Sequence, residues 1–134
     1  MEKVDFKIEL DYLYKPSSKE FSIVTVPPLK YLMIDGEGDP NTSADYAEAI
    51  SQKKENSKLG ELRHETLKED KSVQILHIGP YDKEGPTLNR LHNEFMPANK
   101  FIFNGKHHEI YMSDPRKVAP EKLRTVLRQP VKKI

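Results

Sequence analysis

The sequence predicts an α+β fold: one complete strand-helix-strand-strand unit preceded by an incomplete one. Three observations lead there. Residues 72–78 hold Val73, Ile75, Leu76 and Ile78 ahead of Gly79-Pro80, the pattern of a buried strand ending at a turn. Leu88, Leu91, His92 and Phe95 then recur with the spacing of one helix face. Two further strand-like stretches follow, residues 107–112 and 125–129, and nothing comparable completes the first half of the chain.

A chain of 134 residues falls in the size range of one domain. Leu, Ile, Val and Phe make up about a quarter of it, enough apolar surface to exclude global disorder. A mean hydropathy of -0.74, ten prolines and no tryptophan nevertheless predict a thin core.

Residues 1–20 are a polar arm in which Phe6, Leu10 and Leu13 have roughly helical spacing before Pro16; a short docking helix and a frayed arm both fit. Residues 21–26 and 29–34 read as strands around Pro27-Pro28. The loop 35–40 leads to a helix capped by Asn41, Thr42 or Ser43. Its apolar face, Tyr46, Ala47, Ala49 and Ile50, stops where Lys53, Lys54 and Ser57 should continue it, so residues 52–60 read as a solvated linker. Residues 62–67 and 72–78 are the next strands, and residues 86–95 the second helix, with Pro86 in the first turn where proline is tolerated. Asn104-Gly105 signals a turn before the strand 107–112. Residues 120–123 form one helical turn ahead of the last strand, 125–129, which ends at Pro130.

Composition removes several functions. Without cysteine there are no disulfides, thiolate zinc sites or cysteine nucleophiles. No apolar run reaches membrane-spanning length and no signal peptide begins the chain, so a cytoplasmic protein without membrane association is expected. A net charge of +1 gives no field that recruits nucleic acid. The basic residues of the last segment (Arg116, Lys117, Lys122, Arg124, Arg128, Lys132, Lys133) lack aromatic interleaving and read as a solvated face.

Candidate chemistry centres on Glu109. Alternation along a strand puts His107, Glu109 and Tyr111 on one face and His108, Ile110 and Met112 on the other. The apolar pair marks the second face as the core side on the simplest reading, which leaves Glu109 on a solvated face or in a binding site. Tyr81 follows Gly79-Pro80 at the mouth of a strand-to-helix turn, where ligand-facing groups and plain turn packing are both common. His77, among apolar neighbours, reads as a hydrogen-bonded core histidine. His107 and Glu109 could converge on a metal, but two ligands do not close a zinc site, and neither metal nor cofactor is expected.

The strings FSIVTVPPLKYLMIDGEGDPNTS, VQILHIGPYDKEGPTLNRLH and NGKHHEIYMSDPRKVAPEKLRTVLRQPV occur in this order. They resemble the GyrI-like small-molecule-binding family, the stand-alone relatives of bacterial effector-binding domains, over residues 3–133. The resemblance implies an antiparallel sheet with helices on one face, built from two β-α-β-β repeats. Within a single domain, residues 21–51 are then a truncated first repeat, 52–60 a linker at the deletion, and 61–134 a complete second repeat. It also implies a groove for flat apolar or cationic aromatic ligands, with Glu109 as counter-charge, Tyr111 as aromatic wall, and Tyr81 and His107 beside them. Other members imply two alternatives. One is hydrolysis of cyclopropane-containing genotoxic compounds, with Glu109 and Tyr111 as the catalytic candidates. The other is a gyrase-inhibitor type of protein binding. A small-molecule ligand is the expected partner, and a homodimer is expected to complete the groove and cover the edge left by the missing strands.

Overall fold

The computed structural model describes residues 9–33 and 63–134. In chain order the elements are α1 (Asp11–Tyr14), β1 (Ser22–Val26), β2 (Leu29–Met33), β3 (Arg63–Leu67) and β4 (Asp70–Ile78). A 3-10 turn at Tyr81–Lys83 then leads to α2 (Gly85–Arg90), a π-helical turn (Leu91–Phe95) and α3 (Met96–Ala98). The chain closes with β5 (Phe101–Phe103), β6 (His108–Tyr111), a 3-10 turn (Pro120–Lys122) and β7 (Arg124–Lys133). The helix expected after residue 43 and the linker 52–60 lie outside the described residues.

Two compact units result, Met1–Pro27 with Glu69–Ile134, and Pro28–Lys68. Described residues of the smaller unit form an antiparallel pair, β2 with β3, registered from Leu29 opposite Leu67 to Met33 opposite Arg63. In the larger unit the sheet runs β1-β4-β7-β5, with β6 also on β7, and every pairing is antiparallel. The α+β class and the antiparallel sheet expected from the sequence are therefore present.

The central pair is β4 and β7, where Ser72 through Ile78 meet Pro130 through Arg124. Side-chain alternation then sorts the residues into two faces. Val73, Ile75 and His77 share one face with Thr125, Leu127, Gln129 and Val131; Gln74 and Leu76 share the other with Val126 and Arg128. Both faces are covered, which is why β4 is buried from Ser72 to His77 rather than at alternate positions.

On the first face lies the apolar core, in which Val73, Leu91, Met96, Phe101 and Val131 pack together with Phe21, Leu88 and Phe95 at its edge. The helical run from Gly85 to Ala98 supplies half of these residues. Its middle turn widens to a π-turn just ahead of Pro97. Proline has no N–H to give and its ring crowds the carbonyl four residues back, and a widened turn relieves both.

The N-terminal arm covers the second face. Leu13 is fully buried, and α1 is tied down through a buried polar network centred on Arg128. The Arg128 guanidinium donates to the Leu13 carbonyl at 2.7 Å, to Gln74 Oε1 at 3.1 Å and to Glu69 Oε2 at 3.3 Å. Gln74 in turn donates to the Tyr12 carbonyl at 2.6 Å, and His108 pairs with the other Glu69 oxygen. Of the two options open for the arm, a short docking helix is the one adopted by residues 11–14.

Two boundaries differ from the sequence reading. β7 continues past Pro130 to Lys133, because proline removes one donor while its carbonyl still accepts from the Asn104 N–H at 3.0 Å and β5 pairs the next residues. Asn104-Gly105 is not a reversal: β5 and β6 run in the same direction along one edge of β7, interrupted at Gly105 with φ of +123°.

Candidate functional site

The register places the carboxylate predicted to matter on the helix-covered face. Glu109 lies opposite Leu127, which lies opposite Ile75; Tyr111 lies opposite Thr125, which lies opposite His77. These two rows cross β6, β7 and β4 on the face that holds the apolar core. Ile110 and His108 point the other way, toward the face covered by the arm. The simplest sequence reading, with Ile110 marking the core side, fails because β6 has no open face: all four of its residues are half-buried.

Glu109 and Tyr111 are joined directly, the Tyr111 hydroxyl donating to Glu109 Oε2 at 2.7 Å. Same-face residues two apart on a strand are close enough for this bond. The Tyr81 ring meets the Tyr111 ring edge-on, centroids 5.1 Å apart at 63°. His107 is the outermost member, its Nε2 3.9 Å from Glu109 Oε1 with close to half of the side chain exposed. All four residues singled out from the sequence thus fall in one cluster.

Gly79 makes the turn that carries Tyr81 back over the sheet. Its φ of +135° is a backbone conformation side chains resist, while its N–H is held by the Leu123 carbonyl at 2.8 Å. His77 Nε2 lies 2.9 Å from the Pro80 carbonyl, so this histidine is buried and hydrogen-bonded as expected.

The sequence reading passed over Glu84. It is the last residue before α2, only 4% exposed, and hydrogen-bonded to the Glu109 carboxyl group. Burial, the hydrogen bond and the Glu109 charge together push its pKa up to about 8. Glu84 is therefore a neutral acid at pH 7, and the pair carries one negative charge rather than two. Its Oε1 has no hydrogen-bond partner among the described residues, nor does Thr125 Oγ1 on the same face, although both are buried. The signal was a glutamate inside the turn block IGPYDKEG, but its burial depends on the tertiary position of the turn.

Among the described residues no group of three or more His, Cys, Asp or Glu side chains is placed to hold a metal ion. No helix there is long and apolar enough to cross a membrane.

An antiparallel sheet packed under a helical run, with carboxyl and tyrosyl groups gathered at the helix entrance, defines an α+β domain. The GyrI-like small molecule binding domain matches residues 57–132, and the chain belongs to that family. Among solved structures, an uncharacterised conserved protein from Listeria innocua is similar with a TM-score of 0.83 and 24% identity, covering 97% of this chain and 100% of that one. A hydrolase from Listeria innocua has a TM-score of 0.78 and 25% identity over the same shares. The C-terminal domain of EcmrR shares the fold at a TM-score of 0.59 and 12% identity, covering 86% of this chain and 98% of that one. Comparison with curated proteins finds no match.

Proposed function

We propose that the chain binds a flat cationic aromatic molecule at the Glu109 cluster. The observation that carries this reading is the carboxyl pair itself, Glu84 buried against Glu109, whose carboxylate also accepts from the Tyr111 hydroxyl. Glu84 held neutral beside Glu109 leaves a single negative charge, flanked by the Tyr81 and Tyr111 rings. Such a site attracts a cation through the carboxylate and through the ring faces, and the flat rings offer apolar contact without much ordering entropy. The buried Glu84 Oε1 and Thr125 Oγ1 are polar atoms that a bound molecule can satisfy.

The test uses N-methylacridinium against neutral acridine, which differ in charge and hardly in shape. At neutral pH the cation is expected to bind at least ~10-fold more tightly, a difference worth about 1.4 kcal/mol. Equal affinity for the two would remove the carboxylate from the account and leave an apolar groove.

A hydrolytic reading has its own support, a neutral acid beside a carboxylate and a similar structure described as a hydrolase. For a cyclopropane-containing substrate, Glu109 would accept a proton from water as the new C–O bond forms at a ring carbon. The electron pair of the breaking C–C bond would move onto a conjugated carbonyl, with Glu84 or Tyr111 donating the proton that carbonyl oxygen takes. Ring-opened product accumulating with the intact protein, and absent with Glu84→Gln and Glu109→Gln, is the expected result on this reading; no turnover by folded protein overturns it.

A further inference from the structure

The sheet separates the Glu109 cluster from a cleft on its opposite face, about 360 Å³ in volume and lined by Tyr14, Lys15, Pro16, Leu76, Met112 and Arg124. That volume lies at the small end of the range for ligand pockets. Its walls follow from the fold. The Leu76 N–H donates to the Ser17 carbonyl at 2.9 Å, which draws the arm alongside β4 and leaves residues 14–16 standing over the sheet. The Met112 N–H donates to the Arg124 carbonyl at 2.9 Å, which fixes the far wall. Met112 continues the alternation of His108 and Ile110, so it points away from Tyr111 and Glu109.

The two sites differ in sign. Around Glu109 the charge is negative; here the charged lining residues are Lys15 and Arg124, and among the described residues no acidic one lines the cleft. Among the described residues neither cation has an ion-pair partner, whereas Arg116 and Arg128 are each paired with a carboxylate. Leu76, Met112 and Pro16 supply apolar surface below the charges, and Tyr14 an aromatic wall.

We infer that this cleft is a second binding site, for an aromatic or short-chain organic anion whose apolar body lies on Leu76 and Met112 and whose acid group meets Lys15 and Arg124. An arginine can hold a carboxylate or sulfonate with two parallel hydrogen bonds, and the lysine adds a point charge. The methionine side chain adapts to the ligand body. The site owes nothing to Glu109, so it stands or falls independently of the proposed cation site.

The probe is naphthalene-2-sulfonate added to full-length protein carrying ¹³C-methyl methionine. Met112 reports on the cleft, and Met96, buried in the core on the other face, is the control. The expected result is a saturable shift of the Met112 methyl with Met96 still. Both cations are exposed, so their removal does not threaten the fold. Lys15→Gln and Arg124→Gln together are expected to weaken binding roughly 10-fold, and neutral naphthalene-2-methanol to bind weaker by a similar factor. Glu109→Gln is expected to leave the affinity unchanged. An unmoved Met112 methyl at saturating probe, or equal affinity in the charge variant, or equal affinity for the neutral alcohol, each overturns the inference.

Discussion

Glu84→Gln tests the charge state on which the site rests. The glutamine keeps the shape and can still donate to Glu109, but it cannot ionise. In the parent protein the folded state holds the Glu84 proton up to about pH 8, while an unfolded glutamate releases it near pH 4.5. Between those values the folded state binds the extra proton, so stability must fall as pH rises. A displacement of that size corresponds to on the order of 5 kcal/mol across the whole window, and about 3 kcal/mol by neutral pH. Urea unfolding at intervals from pH 5 to about pH 8.5 measures it. The stability of Glu84→Gln relative to the parent is expected to climb steadily through the window and level off above about pH 8. In Glu109→Gln the slope should shrink without vanishing, because burial is the largest cause and survives the loss of the partner charge. Parallel curves for parent and Glu84→Gln would show that Glu84 ionises normally, and the single-charge description of the site would be wrong.

Other perturbations test the frame that holds the site. Arg128→Met leaves Glu69 buried without its cation and frees the Leu13 carbonyl, and is expected to cost about 3–5 kcal/mol in urea unfolding, with Glu69→Gln added to it recovering part. The Glu69 carboxyl group loses solvation by burial, yet its bonds with His108 and Arg128 outweigh that and hold its pKa below the ordinary value. Its stabilisation is therefore present above about pH 4.5 and is lost as pH falls through the folded value, so parent but not Glu69→Gln should weaken in that acid window. Leu91→Ala empties the centre of the core cluster and should cost about 2–5 kcal/mol. Among the described residues Gly79→Ala meets no closer atom than the His77 ring at 3.7 Å, so its cost, about 1–3 kcal/mol, comes from φ and should appear both in stability and in the position of Tyr81.

The strands were legible where one rule of local chemistry dominated. Residues 72–78 were dense in β-branched and leucine side chains and ended at Gly79-Pro80, and β4 occupies Asp70–Ile78. The helix of residues 86–95 announced itself by apolar spacing, and the helical run begins one residue earlier. What local chemistry did not disclose was tertiary. Ile110 and Met112 look like core residues on an otherwise solvated strand, but the arm covers their face while the helix covers that of Glu109. Nothing in residues 9–20 shows that Arg128, more than a hundred positions away, will cap the Leu13 carbonyl. Glu84 was hidden for a similar reason: in the sequence it is one acidic residue in a polar turn, and only the fold sets it against Glu109. That Glu109, Tyr111 and His107 share a face was legible from strand alternation, and the turn after Gly79-Pro80 brings Tyr81 against Tyr111.

On the proposed function, Glu109 supplies the charge that a bound cation answers. Titration of N-methylacridinium by fluorescence into parent, Glu109→Gln and Tyr111→Phe proteins addresses it most directly. A loss of about 10- to 100-fold is expected for Glu109→Gln and a smaller loss for Tyr111→Phe, which keeps the ring and removes the hydroxyl that orients the carboxylate. Unchanged affinity in folded Glu109→Gln would contradict it.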